Sequence, residues 1–165
     1  ELYRTVKNKS MTLVPTTLGQ IKETTLERFY HKYPDARLKT DVNESVTVLA
    51  DQNYLSEALY NLLTNAWEAN VAAGHDDRAI ELMSHKERLY TVLEVRDEGC
   101  GMTKAEQKKI FEPFYSSKNS NTSWGMGLYH VRTIIRAHVG SLRVESKPGK
   151  GTSFFVLLPK YVQDR

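Results

Sequence analysis

Cysteine is nearly missing: Cys100 is the only one in 165 residues. One thiol excludes an intrachain disulfide and a cysteine-based metal centre, and it fits a reducing compartment. Long apolar runs are missing too; none approaches the roughly 18 residues that a membrane-spanning helix needs. Charge of one sign is scarce, since 23 basic and 20 acidic side chains leave a scattered +3. Nucleic-acid binding asks for a basic stripe interleaved with aromatics. The nearest candidate, "KAEQKK", reads as a solvated helix face, so no nucleic-acid partner is expected. No internal repeat, low-complexity tract or signal-peptide pattern is visible. The chain opens on Glu1 rather than Met, which we read as a piece of something longer.

What is present is an ordinary globular composition, 40% hydrophobic and 26% charged, over a length that suits one domain with its own core. "TTLGQIKETTLERFYHKYPD" has helical spacing, with Thr16 or Thr17 as cap and Pro34 as stop. "ARLKTDV" and "VTVLA" read as a short hairpin around Asn43 and Glu44. Residues 52–73 make the longest helix, ended by Gly74. "AIELMSH" and "RLYTVLEVRD" are strands. A short helix falls near 103–110, a Ser-, Asn- and Gly-rich loop follows, and helix returns at 126–138. "SLRVESK" and "GTSFFVLL" close the chain as strands. Helices among antiparallel-looking strands, without regular βαβ alternation, predict an α+β domain with helices on one face of a mixed sheet. Strand parity places Leu89, Leu93, Val95 and Asp97 on its buried face, as it does Thr152, Phe154, Val156 and Leu158.

Four segments carry candidate chemistry. On the long helix, Glu57, Asn61, Asn65 and Glu68 fall within roughly an 80° sector, opposite Leu55, Leu59, Leu62, Ala66 and Ala69. Asn carbonyls and carboxylates are hard oxygen ligands of the kind Mg²⁺ takes beside phosphates. In "DEGCGM", a carboxylate on a buried face is costly unless something pairs with it. Asp97 could therefore accept a hydrogen bond from an exocyclic amine, and Gly99 and Gly101 let a ligand come close. In "WGMGLYHVR", Gly125 and Gly127 precede an amphipathic helix whose free N–H groups suit phosphate. No Gly-Lys-Ser/Thr follows, so this is not a Walker loop, and no strand leads directly into it, as a Rossmann turn would require. "PGKGTSFFVLLP" places a hydroxyl, Thr152, just beyond a hairpin turn.

Order and spacing say more than any one segment. An Asn-bearing helix, Asp-x-Gly-x-Gly, Phe-x-Pro-Phe, a Gly-x-Gly-Leu helix and a Gly-x-Gly-Thr-x-Phe strand together closely resemble the catalytic ATP-binding domain of bacterial sensor histidine kinases. The resemblance spans roughly residues 12–160 and extends, more distantly, to the superfamily of DNA gyrase B, Hsp90 and MutL. It implies a two-layer α/β sandwich, the Bergerat-type ATP-binding fold, over residues 11–165, with residues 1–10 the trailing end of a dimerisation helix or a linker. It also implies ATP and Mg²⁺ as ligands. By resemblance, Asn65 would coordinate Mg²⁺ and Asn61 would line the phosphate side. Asp97 would accept the adenine amino hydrogen, with Gly99 and Gly101 making room for the base and Thr152 beside it. Phe111 and Phe114 would anchor a lid at 116–124 in which Lys118 meets phosphate. Gly125, Gly127 and the N–H of Leu128 would touch phosphate too.

Where many family members have a basic residue and then Tyr, this chain has Glu68 and Ala69, and Glu68 is expected to help hold the metal. Hydrolysing relatives place a Glu one turn before the metal-binding Asn; here that position is Asn61. The resemblance therefore implies slow hydrolysis and transfer of the γ-phosphoryl group to a histidine on a dimerisation domain, then to a response regulator. None of His31, His75, His85, His130 and His138 reads as that acceptor. The expected partners are thus a dimerisation domain of the same protein and a response regulator, with a homodimeric parent and a monomeric piece. The expected location of this domain is cytoplasmic, which is compatible with a membrane anchor elsewhere in the parent. Two alternatives stand beside this reading: an anti-sigma-type serine kinase, disfavoured by Phe-x-Pro-Phe and the long lid, and a nucleotide-binding module without transfer activity.

Overall fold

The computed structural model describes residues 10–113 and 127–162. Phe114, Lys118, Gly125, the expected lid at 116–124, and all but the last residue of the expected helix end or linker at 1–10 lie outside the described residues. Helices α2 (Gln52–Ala72) and α4 (Gly127–Ala137) pack against a five-stranded sheet, α1 (Leu18–Lys32) packs against α2, and the short α3 (Lys104–Lys109) sits at the end of the sheet. The sheet order is β2 (Leu38–Asp41), β4 (Ile80–Lys86), β5 (Tyr90–Asp97), β7 (Gly151–Pro159), β6 (Ser141–Lys147). The pair β2–β4 is parallel and the others are antiparallel. A mixed sheet with a helical layer is the α+β sandwich that the pattern predicts.

The helices start where their caps dictate. The Thr17 hydroxyl accepts from the Gln20 N–H at 3.1 Å, and the Gln20 side chain answers by accepting from the Thr17 N–H at 2.9 Å. Asp51 caps α2 by accepting from Tyr54 N–H at 3.1 Å. The backbone N–H of Asp51 in turn donates to Nε2 of His138, at 3.1 Å, and the His138 Nδ1 donates to the carbonyl of Ile134. One buried imidazole, protonated on Nδ1, thus ties the end of α4 to the start of α2. Gly140 follows α4, and its role is close packing: a Cβ there would lie 2.4 Å from the Leu157 carbonyl oxygen. The left-handed turn falls instead on Val139, at φ 61°.

The expected hairpin between residues 36–42 and 46–50 does not form. Strand β2 runs parallel to β4, with Leu38 opposite Ile80. Strand β3 (Thr47–Ala50) pairs instead with an unexpected β1 (Val14–Thr17), with Val14 opposite Ala50. The reason is the core: Val48 and Ala50 are wholly buried, whereas three of the four residues of β2 are exposed. The turn at Asn43–Ser45 reverses the chain but hands the second strand to the helical side of the fold. Strand β1 is masked in the sequence by Pro15, which an edge ribbon tolerates.

Parity on β5 holds for Leu93, Val95 and Asp97, all buried, and fails for Leu89, which is 57% exposed in the turn before the strand. Glu94, on the opposite face, is only 3% exposed. Along β7, Thr152, Phe154, Val156 and Leu158 are all buried as expected.

Candidate functional site

Helix α2 lies across β4 and β5 and packs between α1 and α4. Its apolar side, Leu55, Leu59, Leu62 and Ala66, is core. Its polar side stays half-buried at Glu57, Asn61, Asn65 and Glu68, with Ala69 beside them. Among the described residues no hydrogen bond engages the side-chain amide of Asn61 or Asn65. The start of α4 comes to the same place: a Cβ added to Gly127 would stand 4.0 Å from the Asn65 amide nitrogen. Leu128, next in line, packs part-buried against the core and fixes the helix start there. The Asn65 carboxamide and the first turn of α4 therefore come together, with Asn61 one turn along α2, which suits a polyphosphate and a hard cation.

The two acids flanking the pair are already engaged. Glu57 meets Nε2 of His130, from α4, at 2.5 Å. Glu68 accepts from the Tyr33 hydroxyl of the turn after α1 at 2.6 Å. Burial first, then the hydrogen bond and charge of Glu68, push the Tyr33 hydroxyl well above the ordinary phenol range, so it remains a donor.

At the far end of the sheet Asp97 is 6% exposed, and its Oδ1 accepts from the N–H of Gly99 at 2.8 Å and of Thr152 at 3.2 Å. Register explains the second bond, because Asp97 and Thr152 face each other across β5 and β7. The Thr152 hydroxyl meets that of Ser146 at 2.8 Å, and the Ser146 hydroxyl also accepts from Met102 N–H. The two glycines after Asp97 make room, but for protein. A Cβ at Gly99 would lie 2.7 Å from that of Ala69, and one at Gly101, where φ is +73°, would lie 2.0 Å from the Lys147 carbonyl oxygen. They let the loop press onto α2 on one side and the β6–β7 hairpin on the other. Gly151 serves the same end, since its Cβ would strike the Asp97 carbonyl oxygen at 2.2 Å. A cleft of about 530 Å³ opens beside Asp97 and Thr152, rimmed by Lys104, Ser146, Lys147 and Lys150.

At the base of the expected lid, Phe111 packs edge-on against Phe154, ring centroids 6.4 Å apart, under the Arg132 guanidinium. Sequence reasoning missed two buried polar groups, Asn70 on α2 and Glu94, and the half-buried Tyr33–Glu68 contact. Apart from Arg96, two residues from Glu94, their partners lie 8 to 59 residues away.

The geometry has close counterparts. Residues 50–162 match the family described as histidine kinase-, DNA gyrase B- and HSP90-like ATPase. The chain belongs to that family. The signal transduction histidine-protein kinase AtoS of Escherichia coli (strain K12) is 38% identical over 117 residues, which is 71% of this chain and 18% of that protein. Sporulation kinase C of Bacillus subtilis (strain 168) is 37% identical over 66% of this chain and 24% of its own length. The chain thus spans about a fifth of the curated relatives it matches. The catalytic domain of histidine kinase ThkA, in a nucleotide-free form, superposes with a TM-score of 0.74 at 26% identity, covering 91% of this chain and 97% of that one. Within its family the chain is an ATP-binding domain of the sensor histidine kinase kind. No helix among the described residues is long and apolar enough to cross a membrane.

Proposed function

We propose that this domain binds Mg-ATP and transfers its γ-phosphoryl group to a histidine on a dimerisation domain of its parent protein, from which a response regulator is charged. The observation that carries the reading is the pair of half-buried carboxamides, Asn61 and Asn65, engaged by no hydrogen bond among the described residues, with Asn65 beside the start of α4 at Gly127. Asp97 would accept the adenine amino hydrogen while Gly99 and Thr152 hold its carboxylate in place. Gly127 and the N–H of Leu128 would meet phosphate, and Lys118 and Gly125 complete that end of the proposal.

The donor set fits the metal. Asn65 and Asn61 offer neutral oxygens, and no cluster of three His, Cys, Asp or Glu among the described residues forms an all-protein cage. Mg²⁺ usually takes few protein ligands and fills its shell with phosphate and water. Asn65 would hold it, and when bound it neutralises charge on the phosphates. Glu68, tied to Tyr33, would shape that end.

Transfer is favoured over hydrolysis because a general base must lie within hydrogen-bond reach of its proton. The position one turn before Asn65 is an amide. The next acid back, Glu57, is engaged by His130. What the chain supplies is therefore positioning and charge stabilisation.

The test is label transfer from γ-labelled ATP to the parent's dimerisation domain, added separately. Transfer that disappears in Asn65→Ala supports the proposal. Tight ATP binding with no transfer to any acceptor would instead make the domain a nucleotide-binding module.

A further inference from the structure

Asn70 stands on the same helix as Asn61 and Asn65 and behaves in the opposite way. It is fully buried, and both ends of its carboxamide are used. Nδ2 donates to the Arg78 carbonyl at 3.1 Å, and Oδ1 accepts from the Glu98 N–H at 2.7 Å. The second bond falls on the peptide immediately after Asp97.

Glu98, the unremarked middle letter of Asp-x-Gly, is held by two more groups. His75 Nδ1 lies 2.6 Å from its carbonyl oxygen, and since a carbonyl only accepts, that nitrogen carries the proton. Arg78 pairs with its carboxylate at 3.2 Å, half-exposed on both sides. Asn70, His75 and Arg78 all belong to the last turn of α2 and the connection into β4, so one short stretch grips one residue. One step further on, Gly99 presses on Ala69, the neighbour of Asn70, and donates to Asp97 Oδ1.

A buried amide left unpaired is costly, so Asn70 and the Glu98 peptide hold each other in one arrangement. That peptide's direction sets where the Asp97 carboxylate points. Helix α2 is rigid and also carries Asn61 and Asn65. The clasp at Asn70 therefore fixes the span between the two ends of the site.

We propose that Asn70 is a positioning residue for nucleotide recognition: by holding the Glu98 peptide it sets Asp97 at a fixed distance from Asn61 and Asn65, so that base and phosphates of one nucleotide are met together. This rests on the reading of Asp97 as the adenine acceptor. His75 assists it from the exposed side.

The experiment compares the unaltered chain with Asn70→Ala, His75→Ala and Asp97→Asn. It reads amide hydrogen exchange at Glu98 and Gly99, and affinity for Mg-ATP and Mg-GTP by competition. For Asn70→Ala, exchange at those two amides should quicken at least about tenfold, while the β4 and β5 amides stay protected. Affinity for ATP should fall about tenfold with that for GTP nearly unchanged, narrowing the preference for adenine. His75→Ala, which leaves the core intact, should move the same readings by about threefold, and it carries the test alone if Asn70→Ala does not fold. A merely structural role for Asn70 would lower the melting temperature and leave both the local exchange and the ATP-to-GTP ratio alone; that result overturns the proposal. If Asp97→Asn leaves ATP affinity unchanged, the adenine reading fails, whatever exchange at Glu98 shows. If Asp97→Asn weakens ATP and the clasp variants do not, the clasp fails and the reading stands.

Discussion

Two carboxylates sit three residues apart on one strand, and both are withdrawn from water. Glu94 is 3% exposed and Asp97 6%. They point to opposite faces of β5, and they are satisfied in opposite ways. Glu94 is surrounded by side chains: His85 Nε2 at 2.7 Å on one oxygen, the Ser153 hydroxyl at 2.8 Å and Arg96 at 3.2 Å on the other. Asp97 is steadied by backbone N–H groups, those of Gly99 and Thr152. Cations compensate a buried charge and make the assembly self-sufficient. Backbone N–H groups fix the direction of a carboxylate through the turn and the strand pairing that carry them. The first arrangement is that of a structural group, and the second belongs to the carboxylate proposed above to meet the base.

That contrast can be broken. The largest effect expected is on Glu94→Ala, which strips the acceptor from three donors. Hydrogen bonds to charged groups are each worth about 1.5–3 kcal/mol, and the half-exposed His85 and Arg96 can rehydrate, so we expect a net loss of about 3 kcal/mol. Urea unfolding measures it. Affinity for ATP should stay within about twofold, a shift too small to be called recognition. A large loss of affinity with little loss of stability would reverse the roles assigned to the two acids.

Asp97→Asn comes next and should do the reverse. Its isosteric amide can still accept from Gly99 and Thr152 through its oxygen. Stability should change by less than about 1 kcal/mol. Calorimetry should show ATP affinity lowered by more than about tenfold, because an acceptor matched to an amine has been exchanged for a group that is partly a donor. Unchanged affinity removes Asp97 from the site.

Acid should separate the two faces again. Burial pushes the Glu94 carboxyl up, but the hydrogen bonds from His85 and Ser153 and the charge of Arg96 outweigh it, so its pKa lies below the ordinary glutamate value. A carboxyl depressed in the folded state stabilises fully above its unfolded pKa, and the contribution is lost as pH falls through the folded one. Urea midpoints taken below the ordinary glutamate range should fall with pH in the unaltered chain and fall less in Glu94→Gln. Parallel curves would mean that Glu94 contributes nothing to the acid limb.

How much of this could be read beforehand follows the same division. Local patterns were legible. The cap at Thr16 or Thr17, which the structure gives to Thr17, the long helix with core on one side and Asn61 and Asn65 on the other, and the parity that buries Asp97 all came from spacings of a few residues. The hairpin failed because choosing a partner strand depends on the whole core, and Val48 and Ala50 are satisfied only under the helices. Glu94 hid for a related reason. Alternation says which face a residue is on, not whether that face is covered, and the cover comes from His85 and Ser153 on neighbouring strands. The glycines of Asp-x-Gly-x-Gly were legible as places of close approach, but the approaching atoms belong to Ala69 and Lys147.

The smallest effect sharpens the comparison most. His85 is 43% exposed at its side chain, while its partner Glu94 is 4% exposed. Half in water, the imidazole can contribute only the modest energy of a surface partner, roughly 0–1 kcal/mol. His85→Gln keeps a donor within reach of the same oxygen and removes the imidazole ring. Stability near neutral pH should therefore fall by less than about 1 kcal/mol, with ATP binding untouched. If it instead falls as far as in Glu94→Ala, the imidazole is the main support of that carboxylate. A small fall leaves Ser153 and Arg96 as its anchor, two donors from its own strand and the next, and makes the outer face of β5 a framework that holds the strand.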